Sequence, residues 1–172
     1  MKKTCRIDVT STRYFHVADK LPSFCFEEEE WEDGEADDYG VNEDFPVKSS
    51  STSTLTAYGL FTREKDGSWR VSYEDSEITG MKGCMTTFCL APTGMLILLR
   101  RGELRTCMAF ERGARHLCDY GTENGFPPVV VHTHRLESDL NEAGGRLFVE
   151  YSLEIRGTRA EHNELLIEIT AR

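Results

Sequence analysis

Arg100, Glu77 and His116 are the residues whose type and placement could carry chemistry. Arg100 follows Leu96 and Leu98 at every second position, so in an extended chain its guanidinium shares a face with aliphatic side chains. A cation on an apolar face must be paired or it loses heavily on desolvation. Glu77 lies just beyond the strand-like stretch that carries Trp69, Val71 and Tyr73 on one face, and is the best partner by position. His116 alternates with Cys118, Tyr120 and Thr122. In this set Arg100 could hold a carboxylate or phosphate, and Glu77 with His116 could act as a base and its orienting group. Tyr73, Tyr120, Thr122, Thr133 and Tyr151 add hydrogen-bonding groups on faces that otherwise read apolar.

Other chemistries find less support. His132 and His134 form an HxH pair, which in a strand puts both rings on one face about 7 Å apart. Val129, Val131 and Thr133 are the inward set by alternation, so both rings should face solvent, and no metal is expected. His16 and His162 have no suggestive neighbours. No GxSxG, HExxH or P-loop pattern occurs, and no cofactor is implied. The six cysteines contain no CxxC; Cys84 and Cys89 fall on opposite faces of a strand, and free thiols are the expected state.

The elements that must position these residues are strands nearly throughout. Asp66-Gly67, Pro92-Thr93-Gly94, Arg112-Gly113, Asn124-Gly125 and Gly144-Gly145 punctuate β-prone runs at short intervals. Leu147, Val149, Tyr151, Leu153 and Ile155 share one face, and Glu150, Ser152, Glu154 and Arg156 the other. One side meets a core and one meets water. Residues 138–143, SDLNEA, are the one helix-like patch, a single turn. About ten strands without helical periodicity argue an all-β antiparallel meander, closed as a barrel or folded as a sandwich.

The chain's 172 residues fit one domain, 1–172. Its net charge of −10 is concentrated in one insert at 18–48, where Glu27–Asp44 holds 11 acidic residues and no basic one. The remainder is left at about +1, almost neutral. The insert would repel nucleic acid and anionic membrane. It is either a solvated loop or an arm for a basic protein partner or for divalent cations, with Trp31, Tyr39 and Phe45 as the candidates for docking it back on the rest of the chain. No apolar run approaches the roughly 20 residues that span a bilayer. MKKTCRIDVTSTRYF has no apolar signal core, so a cytoplasmic location is expected.

Asp66–Gly83, Leu99-Arg100-Arg101-Gly102, Met108–Gly113, Tyr120-Gly121-Thr122, Gly144–Leu147 and Tyr151-Ser152-Leu153 together resemble the YwiB-like family of small bacterial proteins, classed as a domain of unknown function. The resemblance covers the first strand and nearly everything from Ser50 onward. It implies a single closed lipocalin-like (calycin-type) β-barrel of about 8–10 strands, and carries no activity to transfer. Inside such a barrel Tyr73, Glu77, Arg100, His116, Tyr120, Thr122, Thr133 and Tyr151 become an inward polar set on an apolar floor. The leading expectation is a small, anionic ligand bound there. The alternatives are a filled, structural barrel whose acidic insert engages a partner, and a small hydrolase or isomerase.

Overall fold

In the computed structural model the described residues are 1–16, 47–75, 83–102, 105–121, 128–155 and 158–172. The acidic insert, Glu77 and Thr122 lie outside them. Ten strands follow in chain order: β1 Lys2–His16, β2 Val47–Arg63, β3 Trp69–Glu74, β4 Met85–Leu90, β5 Leu96–Arg101, β6 Arg105–Phe110, β7 Arg115–Gly121, β8 Val129–Ser138, β9 Gly144–Ile155 and β10 Thr158–Ala171. Each pairs antiparallel with the next, and β1 pairs with both β2 and β10. The result is a closed up-and-down barrel of ten strands, the upper bound of the number expected.

The turns form for the reasons their residues dictate. At Asp66-Gly67 the Asp66 carboxylate accepts hydrogen bonds from the Ser68 amide at 3.0 Å and the Ser68 hydroxyl at 2.7 Å. Gly67 supplies the positive φ of 88°. The expected helical turn at residues 138–143 does not form, and no helix occurs among the described residues. Asn141 bridges Gly144 and its side chain accepts from the Ala143 amide at 2.9 Å, so local Asn capping closes a hairpin instead. Among the described residues no helix is long and apolar enough to cross a membrane.

The barrel's two ends differ. The β2–β3, β4–β5, β6–β7 and β8–β9 turns lie at one end with both termini, where Arg172 donates its amide to the Thr4 carbonyl at 2.9 Å. That half is filled: Ile7, Phe61, Leu96, Phe110, Val149 and Ile167 are wholly buried. Phe61 stacks on Trp69 at 4.8 Å, with the Arg63 guanidinium 4.9 Å from the indole. Gly59 permits a close approach within this wall, because a Cβ there would sit 2.1 Å from the Ser72 carbonyl oxygen. The other end is where β1 leads towards β2, β3 towards β4, β5 towards β6, β7 towards β8 and β9 towards β10.

Candidate functional site

Alternation places a second set of inward residues in this other half, and here they do not fill the barrel. A cavity of about 480 Å³ lies among β1–β6, β9 and β10. Its deeper wall is Val9, Leu55, Phe88, Leu98, Met108 and Leu165. Its outer wall is polar: Arg13, Ser51, Ser53, Asp75, Arg100, Thr106 and Glu161. Tyr73 and Tyr151 also line it, Tyr73 stacking on Phe88 at 6.4 Å and Tyr151 meeting Phe110 edge-on at 5.0 Å.

Sheet register explains how distant residues meet. Tyr73 is paired with Thr86, Thr86 with Arg100, Arg100 with Thr106, and Thr106 with Tyr120. One polar row therefore crosses five strands. Thr86 donates its hydroxyl to the buried Asp75 carboxylate. The Asp75 amide donates to the Cys84 carbonyl at 2.8 Å. Burial raises the Tyr73 phenol above its usual range, the Asp75 charge raises it further, and the Arg100 guanidinium opposes both. Arg100 has no carboxylate partner among the described residues, and its Nε is buried with no hydrogen-bond partner. A charged donor left in that state is costly, by about 1–3 kcal/mol or more. Asn163, also buried, donates to Glu161 at 3.5 Å.

The sequence-derived set divides accordingly. Tyr73, Arg100 and Tyr151 come together on the cavity. Tyr120 joins the polar row through its backbone; its side chain, like Glu77 and Thr122, lies outside the description. Thr133 is fully buried in register with Tyr151 but is not part of the cavity wall. His116 points inward by alternation, yet it sits beside the β6–β7 turn, where its Nε2 lies 3.1 Å from Glu111. It therefore does not meet Arg100. Asp75, Thr86, Asn163 and Arg13 were missed. Carrying the Trp69, Val71, Tyr73 alternation one step further reaches Asp75, and the same step from Ile7, Val9 and Ser11 reaches Arg13.

The outer wall holds a second constellation. Register aligns Arg115, His132, Ser152, His162 and Tyr14 across five strands. A bulge between Thr133 and Arg135 swings His134 into the same row. The His132 and His134 rings are 4.4 Å apart, and those of His134 and His162 5.4 Å apart. The first pair is closer than the about 7 Å expected from regular alternation along one strand, and the second spans β8 and β10 across β9. His162, expected to have no suggestive neighbour, is thus in the centre of the group. Ser152 Oγ lies 2.7 Å from His134 Nε2 and 3.4 Å from His162 Nδ1, and His162 Nε2 lies 3.2 Å from Glu150. In the tautomer that carries the His162 proton on Nε2, facing Glu150, Nδ1 accepts from Ser152 and the Ser152 oxygen accepts from His134 Nε2. This is a directed hydrogen-bond chain ending on a carboxylate. Ser152 is wholly buried beneath the imidazoles, so the chain has a nucleophile's connectivity without access for a substrate. Among the described residues no three metal-ligating side chains converge to hold an ion.

Comparison with known proteins decides the family. The sequence signature of DUF1934, a domain of unknown function, matches residues 45–167. The chain belongs to the DUF1934 family. This DUF1934 protein is similar in fold to a solved structure described as the crystal structure of ywiB protein from Bacillus subtilis. The two share 14% sequence identity with a TM-score of 0.69, over 99% of this chain and 93% of the other. No curated protein matches the DUF1934 chain.

Proposed function

We propose that this DUF1934 barrel binds a small anionic molecule in its unfilled half, with Arg100 supplying the countercharge. The observation that carries this is the buried Arg100 Nε, without a partner, beside a cavity of about 480 Å³. That volume lies in the usual range for small-molecule sites, roughly 300–1,000 Å³. A wholly structural barrel would gain by filling this space and by pairing or removing the arginine. The Asp75 and Glu161 carboxylates already accept hydrogen bonds from Thr86 and Asn163, and the cavity's cations are Arg100 and, nearer the rim, Arg13. The five described cysteines are all free thiols, which supports a reducing compartment and a cytoplasmic protein.

Native mass spectrometry of protein purified from its own cells tests the reading. The expected result is a chain of 19.6 kDa carrying one small anion, with the adduct lost in Arg100→Met. A bare chain that also gains no thermal stability from any small anion sinks the proposal.

A further inference from the structure

The cavity is graded along the barrel axis, and the gradient bears on what kind of anion fits; this inference rests on the binding proposal above. In β5 the order from floor to rim is Leu98 then Arg100, and in β6 it is Met108 then Thr106. In β1 it is Val9, Ser11, Arg13, and in β10 it is Leu165, Asn163, Glu161. Four strands thus repeat one pattern: apolar inside, polar towards the end where β5 leads to β6. A ligand entering with its charge first would leave that charge among aliphatics and its apolar part among serines. The reverse seating matches these four strands; β9 departs from it, with Leu153 in register with the rim residue Glu161 and Tyr151 one step deeper.

Depth is bounded as well. The next inward residues below the floor are Ile7, Leu96, Phe110 and Ile167, all wholly buried in the filled half. No strand contributes more than three inward positions, as Val9 to Arg13 in β1 illustrates. At about 3.3 Å per residue that is roughly 13 Å along the strand, or about 10 Å along the axis for strands tilted near 40°. A long acyl chain does not fit that depth in extended form.

We infer that the site takes a short anionic amphiphile, tail first. Its apolar part is one aromatic ring or an aliphatic chain of about six to eight carbons, and its head is a carboxylate or phosphate held by Arg100 at the polar rim. The floor residues Phe88, Leu98 and Met108 take the apolar part.

The test is calorimetric titration of the intact protein with straight-chain monocarboxylates from four to sixteen carbons, all below micelle-forming concentration. Phenylacetate, octyl phosphate, octanol and inorganic phosphate complete the panel. Affinity is expected to rise about three- to fourfold per methylene, the increment for burying one CH₂, and to stop rising near eight carbons. Octanol should bind at least tenfold more weakly than octanoate, and Arg100→Met should abolish that difference. Leu98→Phe, which fills the floor without touching the arginine, should move the break to a shorter chain. Octyl phosphate against octanoate shows which oxyanion is preferred. Affinity that keeps climbing to sixteen carbons, or wild-type protein that binds octanol as well as octanoate, overturns the inference. Binding of inorganic phosphate without any amphiphile overturns it while leaving the small-anion reading standing. Failure of every anion overturns both.

Discussion

Replacing Arg100 with methionine separates a binding arginine from a structural one, because the two roles give stability changes of opposite sign. Methionine keeps an unbranched stem of similar length and removes the guanidinium. The Arg100 Nε is buried without a partner, and leaving a buried donor unsatisfied costs about 1–3 kcal/mol. Some of that gain is offset, since Asp75 loses a nearby cation while keeping its Thr86 hydrogen bond. The net expectation is about 1 kcal/mol of added stability. In a chain of this size that raises the melting temperature by roughly 2–4 °C. The ligand response should move the other way. A ligand at one hundred times its Kd stabilises the wild type by about 2.7 kcal/mol, and the variant should lose that shift. The assay is a pair of thermal melts, with and without octanoate, supported by urea midpoints at constant m-value. A variant that melts several degrees below wild type refutes the reasoning. Breaking a buried, paired charge costs about 3–5 kcal/mol, and a loss of that size would show that Arg100 holds the barrel together.

Three further outcomes follow from the same geometry. Burial raises the Tyr73 phenol, so the folded state keeps its proton to higher pH than the unfolded chain. That stability is fully present below the unfolded value near 10 and is lost as pH rises beyond it; Tyr73→Phe should flatten the alkaline limb of a stability–pH curve, and an unchanged limb counts against the assignment. Gly59→Ala would drive a Cβ to 2.1 Å from the Ser72 carbonyl, backbone that cannot swing aside, so a loss of about 3 kcal/mol is expected in urea denaturation, and a neutral result contradicts the close approach. Ser152→Ala removes the hydroxyl that joins His134 to His162 in a buried setting; a loss of about 1–3 kcal/mol is expected, together with altered tautomer signatures of both rings in ¹⁵N NMR spectra, and unaltered spectra reject the chain.

Alternation was enough to make much of this barrel legible before its structure. Leu147, Val149 and Tyr151 face inward, Glu150 and Glu154 outward, and the turn residues separate the strands as their conformational preferences require. Alternation states a face and says nothing of height along the axis. His116 therefore shares its facing with Arg100 while sitting beside the opposite turns, on Glu111. Height comes from register, and register in a closed sheet depends on how β1 meets β10, a pairing between residues some 150 positions apart. The same dependence hid the His132, His134, Ser152 and His162 group. His162 and Ser152 become neighbours only when β10 is in register with β9, and His134 joins them through a bulge that no residue type announces. Asp75 and Arg13 were within reach of the pattern, each one alternation step beyond where it was followed.

Closure through β1 also sets a timetable for the chain. β1 can pair with β2 early, but its other edge waits for β10, whose partners run from His162 to Ala171. At about 5–20 residues per second, synthesis leaves that edge unpaired for roughly 10–30 s. During this interval Ile7 and Val9, which end inside the barrel, belong to a strand that can recruit a foreign β-edge. The loop-closure entropy of the final pairing must also be met before its contacts repay it, so the last step is the slow one. The nascent protein is thus most exposed to misassociation just before its final strand arrives, and least exposed once the ring of hydrogen bonds has no ends.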